Sequence, residues 1–126
     1  MKRVTGLGGI FFKCRDPEAV KNWYSKHLGL PLDGDGCVTF QWRDAEDSKS
    51  VGRTVWATFP ADTEYFNPSR ASFMINYRVE NLKELLAELK KEGVEVDDKI
   101  EEYDYGKFGW ITDPEGNRIE LWEAPK

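Results

Sequence analysis

The stretch Tyr105–Trp122, YGKFGWITDPEGNRIELW, decides how the chain folds. Pro114 presets φ for the second position of a β-turn, and Gly116 with Asn117 accepts the positive φ that follows. Two short alternating runs therefore meet in a β-hairpin with Asp113 at its corner. Alternation along the returning strand puts Ile119 and Leu121 on one face and Arg118, Glu120 and Trp122 on the other. A carboxylate flanked by a cation and an aromatic ring on one side of a sheet marks that face for function.

Upstream of the hairpin the chain repeats itself. Leu7–Cys14 (LGGIFFKC) is an apolar run opened by glycines and reads as a strand. Asp16 offers an N-cap carboxylate and Pro17 occupies the first helical position, where a missing N–H costs nothing. The helix that follows carries Val20, Trp23, Tyr24 and Leu28 at spacings of three and four, and Gly29 stops it. A short strand near Leu30 and a longer one over Val38–Trp42 are expected next, then a polar loop from Arg43 to Gly52 and β-type residues from Arg53 to Phe59. After a linker at 61–70, Ser72–Val79 is a strand, and Asn81 caps a helix with the stripe Leu82, Leu85, Leu86 and Leu89. Gly93 closes that helix before a strand at Val94–Ile100. The caps Asp16 and Asn81 lie 65 residues apart and the stops Gly29 and Gly93 lie 64 apart. Two copies of a strand, helix, strand, strand, strand unit follow, residues 1–60 and 71–126. Neither copy can bury its sheet face alone. Side by side they form one α+β domain spanning residues 1–126, a curved eight-stranded sheet with both helices on the outer surface.

Composition narrows the function. The 126 residues are 40% hydrophobic and 33% charged, as in an ordinary globular domain, with five Trp, five Tyr and seven Phe to build core and pocket walls. A net charge of −5 without a basic stripe excludes a nucleic-acid surface. Cys14 and Cys37 form no CxxC pair, and one histidine, His27, cannot complete a Cys/His zinc cluster. The cysteines read as buried thiols in a reducing compartment. No apolar run approaches the length of a membrane span, and the N-terminus lacks the apolar stretch of an export signal, so a cytoplasmic protein is expected.

The inner sheet surface follows from strand parity. Gly9, Phe11 and Lys13 face inward, as do Met74, Asn76 and Arg78, while Phe108, Trp110 and Thr112 share the face of Glu120 and Trp122. Aromatic walls with a few polar groups make a small-molecule pocket. The ligand-binding candidates are Phe11, Lys13, Met74, Asn76, Arg78, Phe108, Trp110 and Trp122, and Glu120 is the catalytic candidate. Lys13, Arg78 and Arg118 suit an anionic ligand or simply solvated strand ends. The faces of Trp42 and Trp56 stay open.

With two βαβββ units and the segments RDPEAVKNWYSKHLGL, VENLKELLAELKKEGVEV and FGWITDPEGNRIELWE, nearly the whole chain resembles the vicinal oxygen chelate superfamily. Its members include glyoxalase I, extradiol dioxygenases, fosfomycin-resistance proteins, methylmalonyl-CoA epimerase and bleomycin-binding proteins. The resemblance implies a cup that, in metal-dependent members, holds a divalent ion through His, His and Glu side chains. It also implies dimers, and a loop such as Arg43–Gly52 serving as a lid. The three ligand positions fall near Gly9, Met74 and Glu120. Only the last carries a suitable donor, since glycine offers none and a thioether suits hard divalent ions poorly. His27 lies near the end of an outer helix, where a helix C-terminus favours it. A protein without a metal or other cofactor is therefore expected, binding a small, largely apolar molecule in its aromatic cup as a homodimer. Two further readings stand beside it: a divalent-metal lyase, isomerase or dioxygenase of the glyoxalase I type using Glu120, and an interaction protein whose cup is filled by side chains.

Overall fold

The computed structural model describes residues 2–126. The first half comprises β1 (Val4–Cys14), α1 (Pro17–Leu28), β2 (Val38–Arg43) and β3 (Val51–Pro60). The second comprises β4 (Phe73–Val79), α2 (Leu82–Lys91), β5 (Glu95–Val96), β6 (Glu101–Tyr103), β7 (Gly106–Thr112) and β8 (Arg118–Glu123). All eight strands join one open mixed sheet in the order β2-β3-β1-β4-β8-β7-β5, with β6 also pairing β7. The first and last strands of each half pair in parallel, β1 with β3 and β4 with β8, and the halves meet where β1 and β4 run antiparallel. The repeat inferred from the caps is thus the repeat of the sheet.

The eight strands divide three and five. No strand forms near Leu30. Pro31 has no N–H to give a ladder, and residues 33–37 turn back on themselves, the Asp33 amide donating to Cys37 O at 2.8 Å and the Gly36 amide to Asp33 O at 3.0 Å. In the second half, the expected strand over Val94–Ile100 shrinks to Glu95–Val96, and β6 resumes along the same edge of β7.

Helix boundaries follow the capping chemistry. Asp16 accepts from the Ala19 amide at 3.1 Å and Asn81 from the Glu84 amide at 3.2 Å. Glu123, at the end of β8, adds a second acceptor by taking the Leu82 amide at 2.7 Å. Gly29 follows α1 in the left-handed region, with φ of 68°. The two helices pack unequally. Leu82, Leu85 and Leu86 of α2 are buried with Val79 and Leu121. In α1 no residue is buried. Tyr24 rests on Phe12 and Trp56 of the outer sheet face, but Trp23 and Leu28, expected in the packed stripe, are 53% and 64% exposed. His27 lies in the last turn of α1 against Trp23, away from the concave side.

On the concave side the linker does more than connect. Residues 61–70 fold into it, and Phe66 is fully buried with Phe11, Ala57, Met74 and Trp110. Burying such rings contributes about 1.5–3 kcal/mol each. Lys13 stands 5.4 Å over the Phe66 ring. The segment is a plug seated in one end of the concavity. Phe66→Ala is expected to lower the unfolding free energy by about 3–5 kcal/mol, measured by urea titration. A loss under about 1 kcal/mol would show the plug to be a loose connector.

Candidate functional site

The hairpin delivers Glu120 to the concave face. At its corner the Asp113 carboxylate accepts the Glu115 and Asn117 amides at 2.9 Å each, and Gly116 takes a φ of 84° that side chains resist. The turn locks the register of β7 on β8, setting Phe108 opposite Trp122, Trp110 opposite Glu120 and Thr112 opposite Arg118. These six share a face, as alternation requires.

Glu120 is 1% exposed. Its carboxylate accepts from three elements: Asn76 Nδ2 of β4 at 2.6 Å, Trp110 Nε1 of β7 at 3.0 Å, and the Tyr65 hydroxyl of the plug. Burial still outweighs these donors and raises the Glu120 pKa above the usual carboxylate range. Burial, reinforced by the neighbouring Glu120, drives the Tyr65 phenol well above its ordinary value, so it stays a donor.

Three central strands meet at this level. Asn76 is the β4 partner of both Gly9 on β1 and Glu120 on β8. The position across from Glu120 is therefore Asn76, and the placement of Met74 there is corrected: Met74 lies two residues deeper, fully buried in the core. A register irregularity between Leu7 and Gly9 leaves Gly8 facing Asn76. A Cβ at Gly8 would sit 2.1 Å from Asn76 Oδ1 and 3.1 Å from the Trp122 ring, so a side chain there would displace both. The donor set around Glu120 is thus one carboxylate already taken by three protein donors, one amide oxygen and a glycine, which does not fit a resident divalent ion. Among the described residues no group of three His, Cys, Asp or Glu side chains comes together for a metal.

Beside Glu120 opens a cleft of about 730 Å³, the size of a small-molecule site. Glu120, Phe11, Asn76, Phe108 and Trp122 line it, the last two rings stacked at 6.1 Å with 6° between their planes. The other sequence candidates sit elsewhere. Met74 and Trp110 are the buried floor. Lys13 is turned toward Phe66, and Arg78 packs 5.9 Å over the Trp42 ring and donates to Val51 O at 3.1 Å. Arg118 lies over Trp110 and pairs with Asp97 at 3.2 Å. Trp56 faces α1, and Trp42 covers Gly6 and Gly52, so neither lines the cleft.

Sequence reasoning missed the opposite wall. Arg53, Val55, Ala57 and Phe59 of β3 line the cleft with Cys37, Thr39, Tyr65 and Tyr105. The alternation of Arg53, Val55, Ala57 and Phe59 carries that signal once β3 is registered on β1. Tyr65 carried none, because a residue in a turn has no periodicity. The loop expected as a lid is a hairpin turn, with the Asp44 amide on Ser50 O at 3.0 Å, and residues 44–50 do not reach the cleft. The Cys37 thiol lines the wall, and burial raises its pKa, so it stands as a neutral thiol.

Replacing Glu120 separates charge from shape. Glu120→Ala strands two buried donors, Asn76 and Trp110, together with the part-buried Tyr65 hydroxyl, and is expected to cost about 3 kcal/mol or more. Glu120→Gln keeps the shape, and Asn76 can turn its unpartnered Oδ1 toward the new amide, so it should stay within about 1 kcal/mol of wild type. Because folding raises the Glu120 pKa, wild-type stability falls as pH climbs from the ordinary carboxylate range through the raised value. Urea titrations at several pH values should show that fall attenuated in Glu120→Gln. Equal slopes in both proteins would refute the assignment.

The sequence model of the Glyoxalase/Bleomycin resistance protein/Dioxygenase superfamily matches residues 6–121. No curated protein matches the chain. Among solved structures, Streptomyces coelicolor methylmalonyl-CoA epimerase in complex with 2-nitronate-propionyl-CoA is similar at a TM-score of 0.69 and 15% identity, over 98% of this chain and 99% of that one. Methylmalonyl-CoA epimerase from Mycobacterium tuberculosis is similar at 0.60 and 19% identity, over 98% and 90% of the two chains. A glyoxalase/bleomycin resistance protein/dioxygenase superfamily member from Vibrio splendidus 12B01 is similar at 0.58 and 12% identity, over 93% and 98%. At such identities the structural likeness concerns the fold, and with the match to residues 6–121 it leads to one conclusion: the chain belongs to the Glyoxalase/Bleomycin resistance protein/Dioxygenase superfamily.

Proposed function

We propose that this protein binds a small, largely apolar molecule in its concave cleft without a metal or other cofactor. One observation carries the reading: a cleft of about 730 Å³ has aromatic walls, while the carboxylate at its floor accepts from three protein donors. Apolar burial supplies the affinity and the few polar groups fix orientation. Glu120 holds Tyr65, Asn76 and Trp110 in place and so shapes the cleft. Metal-dependent lyase, isomerase or dioxygenase chemistry would need further ligands where the chain has Gly8, Gly9 and Asn76. A cup filled by side chains fits less well, because the plug occupies one end and leaves the cleft beside it.

The test is thermal-shift screening of apolar metabolites with and without chelator, with metal analysis of the purified protein. A binder should raise the melting temperature by mass action, equally with chelator present, and Trp122→Ala or Phe108→Ala should abolish the rise. A stoichiometric divalent metal lost on Glu120→Ala would overturn the reading.

The same reading places the protein in a reducing cytoplasm, where Cys14 and Cys37 remain thiols, and in a homodimer. Supporting the dimer, the outer face exposes Ile10 and Phe73 between the helices and Trp23 and Leu28 on α1. Sedimentation equilibrium should give the mass of two chains, and Trp23→Ser combined with Leu28→Ser should halve it. A monomeric wild type rules the homodimer out.

A further inference from the structure

The cleft does not end at its aromatic walls. A groove of about 360 Å³ shares Arg53, Tyr105 and Trp122 with it and continues past Arg78 and Val51. Two arginines line this groove and no carboxylate does. Among the described residues neither arginine forms an ion pair, although the chain carries a net charge of −5 and most of its paired cations sit on exposed carboxylates. Arg78 is held in place by the Val51 carbonyl at 3.1 Å and by the Trp42 ring 5.9 Å away. A guanidinium restrained in this way loses little freedom on meeting an anion. The acids of the cleft are set apart from the groove: Glu120 is taken by its three donors, and Asp35 accepts the Cys37 amide at 3.3 Å and does not line the groove.

We infer that the ligand is an amphiphilic anion, its apolar body in the aromatic cleft and its carboxylate, sulfonate or phosphate in the groove between Arg53 and Arg78. The inference rests on the proposed function, since it names the chemistry of the molecule that the cleft takes up. The groove admits a head group, and the stacked Phe108 and Trp122 rings favour a flat body. Oxyanions present two charged acceptor oxygens to a guanidinium fork, which a neutral polar group does not.

Two fluorescent probes of nearly the same shape test this: 8-anilinonaphthalene-1-sulfonate and its uncharged parent, N-phenyl-1-naphthylamine. Titrated against the folded wild-type protein, the sulfonate should bind about tenfold or more tightly than the parent, and added salt should weaken the sulfonate alone. In Arg78→Gln, which lines the groove and not the cleft, the sulfonate should lose several-fold while the parent stays within about twofold, and adding Arg53→Gln should take the sulfonate down by about the full tenfold factor, more than it takes the parent. Thermal melts confirm that the variants are folded, and Trp122→Ala should lose both probes. If the two probes bind wild type alike, or the arginine variants leave the sulfonate unaffected, the anion site is overturned and the apolar cleft stands. If neither probe binds, the proposed function is overturned together with it.

Discussion

One buried carboxylate ties the concave side of this protein together. Glu120 gathers a strand neighbour from the other half of its own unit, a hairpin partner and a residue from the segment between the units: Asn76, Trp110 and Tyr65. Its burial is costly, and each donor that offsets the cost fixes the position of another element. The floor, the plug and the seam between β4 and β8 are therefore positioned by a single acceptor, and the shape of the cleft follows from theirs.

The sheet is close to symmetric and its concave side is not. Each half contributes a parallel strand pair, and the halves join through β1 and β4. The segment between them crosses into the concavity at one end only, where Phe66 completes the core and Tyr65 stacks on Phe59 at 5.4 Å. The opposite end stays open, bounded by Phe108, Trp122 and Tyr105 and by the arginines beyond them. A fold built by repetition thus presents one cleft with a closed and an open end.

Much of the fold was legible because it rests on local chemistry. Asp16 and Asn81 cap helices, Pro114 and Gly116 turn a hairpin, and period-two alternation places Phe11, Asn76, Phe108, Glu120 and Trp122 on one face. What depends on long-range geometry was not legible. The parallel register of β4 on β8 sets Asn76 rather than Met74 across from Glu120, and the irregularity at Leu7–Gly9 brings Gly8 to face Asn76. Pro31 and the turn at Asp33–Gly36 cancel a strand that the repeat alone would supply. Tyr65 reaches the floor from a turn whose sequence has no period, and Trp23 and Leu28 satisfy a helical stripe that the sheet leaves uncovered.

The plug at 61–70 separates two properties that most small domains must balance against each other. The strand ladders and helix packing form outside this segment, which adds Phe66 to the core, whereas the free space beside Glu120 is bounded on one side by Tyr65. Changes to that connection that keep Phe66 in the core would resize the chamber while leaving the strand order alone. A substitution at Tyr65 therefore changes the volume beside Glu120 without altering any residue of the sheet.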